Sequence, residues 1–150
     1  MAKEIERKYL VTSSDYRDMA SRVRHITQAY LCTDPQSTVR VRIIDDRGKL
    51  TVKGITRGAT RDEWEFDIPA DDARDMIAAC ARSKIIDKDR YIVNFGEHCW
   101  EVDEFHGEYE GLVVAEIELG DESERFELPG FIGREVTGDA RYYNSSLAGL

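Results

Sequence analysis

Charged residues spaced two apart recur in six short segments of this chain, and the residues between them are mostly apolar. The segments are Glu4-x-Glu6-x-Lys8, Arg40-x-Arg42, Glu63-x-Glu65, Lys88-x-Arg90, Glu101-x-Asp103 and Glu116-x-Glu118. Because successive side chains of a β-strand point to opposite faces, this spacing places both charges of a segment on one face. The recurrence predicts a closed sheet with a charged, hydrated interior and an apolar outer face covered by helices.

Taken alone, the segment Glu4-x-Glu6-x-Lys8 has two simpler interpretations. Glu4 and Lys8 could form an exposed i, i+4 pair on a helix, or the segment could be an edge strand with a solvated face. Other segments leave no helical alternative, because residues such as Val39, Val41 and Ile43 are β-branched around the charges. The shared pattern therefore favours strands with a common interior.

Composition fits one globular domain, which we predict to span residues 1–150. The chain is 41% hydrophobic and carries a net charge of −9, which argues against sequence-independent binding to nucleic acid. Cys32, Cys80 and Cys99 are odd in number and far apart, so a reducing compartment is the better interpretation. The N-terminus lacks a signal-type apolar core, and no apolar run is long enough to span a bilayer. We predict a cytoplasmic protein with no membrane partner.

Local patterns predict an α+β fold of about eight antiparallel strands, closed into a barrel, with two or three helices. Helices are predicted over residues 15–23 and 71–82, with a last short helix that carries Arg141 and Tyr142. A strand is predicted over residues 124–128, and a hairpin turn at Asp46-Arg47-Gly48. His25, His98 and His106 are isolated, with His98 and His106 placed in turns, and we do not expect them to be ligands.

The predicted interior would hold charges of both signs. Its carboxylates are Glu4, Glu6, Glu63, Glu65, Asp103, Glu116 and Glu118, and its cations are Lys8, Arg40, Arg42, Lys53, Lys88 and Arg90. Buried ions without partners are very costly, so these groups must be paired, hydrated or bound to a ligand. Arginine and lysine bind phosphate oxygens, and carboxylates hold Mg²⁺ or Mn²⁺. Together they fit a metal–polyphosphate complex.

The ordered set of charges resembles the CYTH superfamily, the triphosphate tunnel metalloenzymes, of which Glu4-x-Glu6-x-Lys8 is the characteristic motif. The resemblance extends over most of the chain, and the stretches 100–107, 111–119 and 135–144 are similar to short bacterial members. It implies an eight-stranded antiparallel tunnel that binds a triphosphate and requires a divalent metal. It also implies that the last helix closes one tunnel mouth, where we expect Tyr142 and Arg141.

The resemblance implies a role for each charged residue. The substrate-binding set is Lys8, Arg40, Arg42, Lys53, Lys88 and Arg90. The best candidates for metal ligands are Glu4, Glu6, Glu116 and Glu118, with Asp103, Glu63 and Glu65 as neighbouring or second-metal groups. Glu4, Glu6 and Lys88 are the candidates for orienting the attacking water. The cofactor is expected to be Mg²⁺ or Mn²⁺.

Four functions share this tunnel. The first is hydrolysis of inorganic tripolyphosphate to phosphate and pyrophosphate, which the short length favours. The others are hydrolysis of a nucleotide or thiamine triphosphate, a class IV-like adenylate cyclase, and a non-catalytic polyphosphate or nucleotide sensor. The partner is in each case a small phosphate compound. Trp64 and Trp100 would face outward from a tunnel, where either the second copy of a homodimer or the chain's own helices could cover them.

Overall fold

One antiparallel sheet that closes on itself dominates residues 2–149, the part of the chain described by the computed structural model (without the side chains of Ala2 and Ser145). Its strands are β1 (Ala2–Val11), β2 (Arg22–Cys32), β3 (Thr38–Ile44), β4 (Arg47–Lys53), β5 (Thr60–Ile68), β6 (Ile86–Phe95), β7 (His98–Phe105), β8 (Val113–Glu118) and β9 (Ile132–Glu135). The long alternating segments form strands because both of their faces can be buried, one in the tunnel and one under covering segments.

Strand β1 closes the barrel by pairing with three strands. The sheet order is β5-β4-β3-β2-β6-β7-β8-β1-β9, and a further pairing joins β5 to β1. Ala2 to Ile5 pair with β5, whereas Glu6 to Leu10 pair with β8. The short β9 pairs with the end of β1, near Tyr9 and Val11. Strands β1 to β8 form the ring, which confirms the predicted eight-stranded antiparallel barrel of α+β class.

The helices of residues 2–149 are fewer than the strands, and two of them have only four residues. They are α1 (Tyr16–Met19), α2 (Ala70–Cys80) and α3 (Asn144–Leu147), with 3-10 turns at Gly107–Tyr109 and Ala140–Tyr142. Helix α2 follows Pro69 and carries Asp71 and Asp72 in its first turn, where carboxylates favour the helix dipole. It lies where a helix was predicted, over residues 71–82. No helix in residues 2–149 combines the length and the apolar character needed to cross a membrane.

Three local predictions were wrong. The helix predicted over 15–23 ends at Met19, because Arg22 and Val23 already pair with Ile92 and Tyr91 of β6. Residues 124–128 form no strand, and β9 lies farther along the chain. The hairpin turn falls at residues 45–46, so Arg47 and Gly48 belong to β4. The end of α1 thus depends on pairing with β6, which is distant in sequence.

The main apolar core lies outside the barrel. Trp100, fully buried, packs edge-to-face against Tyr9 and Phe126, with ring centroids 5.6 and 5.8 Å away. Tyr16 of α1 and Phe131, which precedes β9, complete this cover. Trp100 thus faces away from the tunnel as predicted, but it is covered by the protein's own chain.

Two smaller apolar clusters complete the packing. On the outer face of β2 and β3, Ala29 and Val41 are covered by Ala73 and Ile77 of α2. At one end of the barrel, an apolar plug forms from Tyr30, Ile86, Phe105, Val114, Leu147 and Ala148. Two members of the plug, Leu147 and Ala148, come from the C-terminal segment. This segment therefore helps to close that end.

We expect Trp100→Ala to lower the free energy of unfolding by about 3–5 kcal/mol, because it leaves a large cavity in the outer core. Urea unfolding at 25 °C measures the loss. Leu128→Ala is the control: Leu128 is 56% exposed, so its loss should be much smaller. Equal losses in the two variants would contradict this account of the core.

A cluster of two histidines and two aspartates predicts a pH-dependent stability. His25 Nδ1 lies 3.0 Å from Asp89 and its Nε2 lies 3.2 Å from Asp87. His106 Nε2 lies 3.0 Å from the other oxygen of Asp89. The hydrogen bond to Asp89, with the charge of Asp87, raises the pKa of His25 above its usual value. Protonation of His25 therefore stabilises the folded state.

Because the folded-state pKa is raised, this stabilisation is fully present below the unfolded-state pKa of about 6.5 and is lost as the pH rises through the folded-state value. We expect His25→Asn to be less stable than the wild type at pH 5.5, with a gap that shrinks by pH 8.5. Urea unfolding across this pH range measures the gap. A difference in the free energy of unfolding that stays constant with pH would show that His25 does not contribute through its protonation.

Candidate active site

A charged cavity of 830 Å³ runs through the barrel. Ten of the thirteen predicted site residues line it: Glu4, Glu6, Arg40, Arg42, Lys53, Glu63, Glu65, Arg90, Glu116 and Glu118. Lys8 lines an adjoining cavity of 60 Å³ that shares Glu4, Glu6, Arg40 and Lys53 with the larger one. Lys88 and Asp103 are fully buried in its wall. The structure therefore brings all thirteen residues together in one tunnel.

Strand register places opposite charges side by side. Lys8 of β1 lies opposite Glu116 of β8, and Arg90 of β6 lies opposite Asp103 of β7. On the other side of the barrel, Lys53 of β4 lies opposite Glu63 of β5. Because a one-residue shift would turn these side chains to the outer face, the register that buries the apolar core also fixes the ion pairs.

The most deeply buried ionic group is the triad of Lys88, Asp103 and Arg90. Asp103 accepts hydrogen bonds from Arg90 Nε at 2.8 Å and Nη2 at 2.9 Å, and its Oδ2 lies 2.8 Å from Lys88 Nζ. Lys88 also donates to the side-chain oxygen of Asn144 at 3.1 Å. Arg90 in addition donates to Glu101 at 3.1 Å.

The triad shifts the pKa values of its members in opposite directions. Burial opposes the charge of Asp103, but Arg90 and Lys88 outweigh it and hold the pKa of this carboxyl well below its usual range. Burial lowers the pKa of Lys88 to about 7, with Asp103 opposing and Arg90 and Arg42 adding to the decrease. Lys88 is therefore a buried amine that can change protonation state near neutral pH.

Two pairs of glutamates shift each other's pKa values within the tunnel. A hydrogen bond with Glu4, followed by burial, raises the pKa of Glu63 to about 7. Burial, with the charges of Glu116 and Glu4, raises the pKa of Glu6 well above its usual value. Burial also opposes the charges of Glu4 and Glu116, but it is outweighed at both. Glu63 and Lys53 lower the pKa of Glu4, and Lys8 and Glu6 lower the pKa of Glu116. In each pair, therefore, one pKa is raised and the other is lowered.

These carboxylates suit a hard divalent cation. Across residues 2–149, no three His, Cys, Asp or Glu side chains already surround a point where a metal ion would fit. The donor set nevertheless consists of carboxylate oxygens, which Mg²⁺ and Mn²⁺ prefer. A divalent ion would also relieve the repulsion between neighbouring carboxylates, which contributes to the raised pKa values of Glu6 and Glu63.

Arg40 and Arg42 are the cations that stand apart. Carboxylates pair with the other four: Glu116 with Lys8, Glu4 with Lys53, and Asp103 with both Lys88 and Arg90. Within the described residues, neither Arg40 nor Arg42 has a carboxylate within 4 Å, and Arg40 Nε has no hydrogen-bond partner. Burial, then Arg40 and Arg90, lower the pKa of Arg42 to about 9. This side of the tunnel is an open binding place for an anion.

Sequence patterns missed several neutral members of the site. Gln28 accepts a hydrogen bond from Arg42, and Asn144 accepts one from Lys88. The charge pattern could not reveal neutral side chains, although Gln28 follows the same alternation along β2 between Ile26 and Tyr30, which line the cavities. Glu101 belongs to one of the six charged segments and lines the tunnel, but it was left out of the predicted site residues.

The C-terminal contribution to the tunnel also differs from the prediction. Tyr143 and Asn144 line the smaller cavity, and the backbone carbonyl of Tyr142 accepts a hydrogen bond from Lys8 at 3.1 Å. The expected role of Arg141 is wrong, because its exposed side chain pairs with Asp139 at 2.7 Å. His98, placed in a turn by prediction, begins β7 and contacts Glu124, while His25 and His106 contact aspartates outside the tunnel.

Comparison with known proteins gives one consistent family. Residues 2–146 match the CYTH domain. The chain is 48% identical over 147 residues to an inorganic triphosphatase of Acetivibrio thermocellus, covering 98% of this chain and 94% of that one. It is 30% identical over 150 residues to an inorganic triphosphatase of Nitrosomonas europaea, covering 97% and 96% of the two chains.

A solved structure supports the same assignment. The crystal structure of an inorganic triphosphatase superposes with a TM-score of 0.66 at 28% identity, covering 97% of each chain. Sequence and fold therefore agree along nearly the whole length. This chain belongs to the CYTH family.

Proposed function

We propose that this protein is a metal-dependent inorganic triphosphatase that cleaves tripolyphosphate to phosphate and pyrophosphate. One observation carries the proposal: a single tunnel joins two arginines, which have no carboxylate within 4 Å among the described residues, to glutamates that shift each other's pKa values. The arginines offer a place for an anion, and the glutamates offer a place for a cation. Two relatives of nearly the same length carry this activity in their names, which supports the choice of substrate.

Substrate binding is proposed to begin at Arg40 and Arg42. Guanidinium groups can bind phosphate oxygens through two parallel hydrogen bonds, and these two lose no existing ion pair when a phosphate arrives. Lys8, Lys53 and Arg90 would complete the binding by sharing their charge between the phosphates and their present carboxylate partners. A compact polyanion therefore suits the tunnel better than a single phosphate.

The metal, Mg²⁺ or Mn²⁺, is proposed to be held by Glu4, Glu6, Glu116 and Glu118, with Glu63 and Glu65 close by. When bound, it supplies positive charge that offsets the charge developing on the phosphoryl oxygens. Asp103 is less suited to this task than the sequence suggested, because Arg90 and Lys88 already occupy both of its oxygens. We propose that it holds those two cations in place.

Lys88 is proposed to accept the proton of the attacking water. Its pKa of about 7 leaves a substantial neutral fraction near neutral pH, as a general base requires. Asn144 lines the cavity and contacts Lys88, so the amine adjoins the tunnel although it is buried. Glu4 and Glu6 are proposed to orient the same water from the metal side. In-line attack on a terminal phosphoryl group then releases pyrophosphate.

Three further assignments accompany the activity as proposals. The unpaired cysteines Cys32, Cys80 and Cys99 support a reducing, cytoplasmic location. The exposed side chains of Trp64 and Phe66 on β5 support a homodimer that covers them. We also propose that residues 1–150 act as one catalytic domain.

We expect Glu6→Gln to lower kcat for tripolyphosphate by about 10²–10³-fold, because it removes one of the proposed metal ligands. Phosphate and pyrophosphate release in Mg²⁺ or Mn²⁺ measures the loss, and EDTA should abolish wild-type activity until metal is restored. Glu97→Gln, on an exposed turn, is the control. Full activity in Glu6→Gln would refute the assignment of Glu6 as a metal ligand.

The same assays separate the alternative functions. Formation of a cyclic nucleotide from ATP would favour the cyclase, and binding of tripolyphosphate without turnover would favour a sensor.

We expect Lys88→Arg to lower kcat by about 10²–10⁴-fold, because a guanidinium keeps the charge but cannot give up its proton. In the wild type, kcat should rise with pH through about 7, as Lys88 becomes neutral. The dependence of kcat on pH in both proteins measures this rising limb of the profile. Lys84→Arg, an exposed substitution that keeps the pair with Glu108, is the control. An unchanged limb in Lys88→Arg would assign the proton transfer to another group.

A further inference from the structure

Gln28 is a fully buried polar residue on the inner face of the barrel. It lies on β2 between Ile26 and Tyr30, and directly opposite Arg42 in the register of β2 and β3. Its side chain lines neither cavity, so it lies behind Arg42 rather than in the tunnel. Any influence of Gln28 on a ligand must therefore pass through Arg42.

The hydrogen bond between the two side chains has one possible direction. Arg42 Nε donates to Gln28 Oε1 at 3.1 Å, and a guanidinium can only donate, so the carbonyl oxygen of the amide must face Arg42. The amide nitrogen of Gln28 then has no hydrogen-bond partner among the described residues. An unpaired buried donor destabilises a fold. An apolar side chain of this size would avoid that cost but would leave the buried Nε of Arg42 without an acceptor, so the hydrogen bond of the Gln28 amide serves Arg42.

The contrast with the other cations shows what the glutamine does. Lys8, Lys53, Lys88 and Arg90 are each held by a carboxylate, which fixes the cation and also neutralises it. Gln28 fixes Arg42 without adding negative charge. Arg42 thus keeps its full charge and a defined orientation, and a phosphate need not displace a carboxylate to reach it.

We propose that Gln28 is a positioning residue that holds Arg42 ready for the triphosphate, and that its neutrality sets the affinity for this anion. The inference rests on the proposed function, because it names tripolyphosphate as the ligand of Arg42. It predicts that a carboxylate at position 28 competes with the substrate for the same guanidinium. It also predicts that stability and affinity respond in opposite directions to that carboxylate.

Gln28→Glu is the variant that tests the proposal, since it keeps the shape of the side chain and adds the charge that the site lacks. We expect the dissociation constant for tripolyphosphate, measured by calorimetric titration in EDTA, to rise about 10- to 100-fold. In Mg²⁺, KM should rise by a similar factor while kcat changes much less. The urea midpoint should stay unchanged or increase, because Arg42 gains an ion pair.

Gln28→Met and Gln36→Glu complete the design. Gln28→Met removes the hydrogen bond without adding charge, so it should weaken binding less than Gln28→Glu does, and it keeps the proposal testable if the glutamate variant does not fold. Gln36→Glu adds the same charge at an exposed position and should leave the affinity unchanged.

The possible outcomes separate the two proposals. A stable Gln28→Glu protein with wild-type affinity and KM would overturn the role of Gln28 and leave the triphosphatase proposal standing, as would wild-type affinity in Gln28→Met if Gln28→Glu does not fold. A wild-type protein that neither binds nor cleaves tripolyphosphate would overturn both. Loss of stability with unchanged affinity in both variants would show that Gln28 serves the fold alone.

Discussion

Closure of the sheet through β1 is the constraint on which the rest of the structure depends. One strand pairs with β5 through its first residues and with β8 through the following ones, so a row of alternating side chains becomes part of a ring. An open sheet would leave the charged face in bulk water, where ion pairs contribute little. The closed ring instead confines the same charges to a narrow tunnel, where they must compensate one another.

The charges inside the tunnel compensate one another only in part. Burial is the main cause of the lowered pKa of Lys88, and Arg90 and Arg42 add to the decrease, although Asp103 opposes it. Among the glutamates, burial and neighbouring carboxylates raise the pKa of Glu6, and a hydrogen bond with Glu4, followed by burial, raises that of Glu63. The tunnel thus holds groups that favour anions together with groups that favour cations. A metal–triphosphate complex carries both charges in one ligand.

The apolar residues of the strands lie on the outside of the barrel, and the charged residues lie on the inside. Trp100 and Val41 are buried against covering segments, while their neighbours along the same strands face the tunnel. A strand with two buried faces of opposite character tolerates no shift of register. The register that buries the outer core therefore also holds the ion pairs of the inner face in place.

The sequence by itself determined the inner face of the barrel. Alternation at spacing two is a local property of a strand, so Glu4, Arg40 and Glu116 were assigned to a common interior without knowledge of their partners. Tertiary structure alone decided the extent of α1 and the position of β9, because pairing with distant strands overrides local preference there. Tertiary structure alone also decided which cations are paired with a carboxylate. Gln28 and Asn144 carry no charge pattern, and their importance comes only from what the closed barrel places beside them.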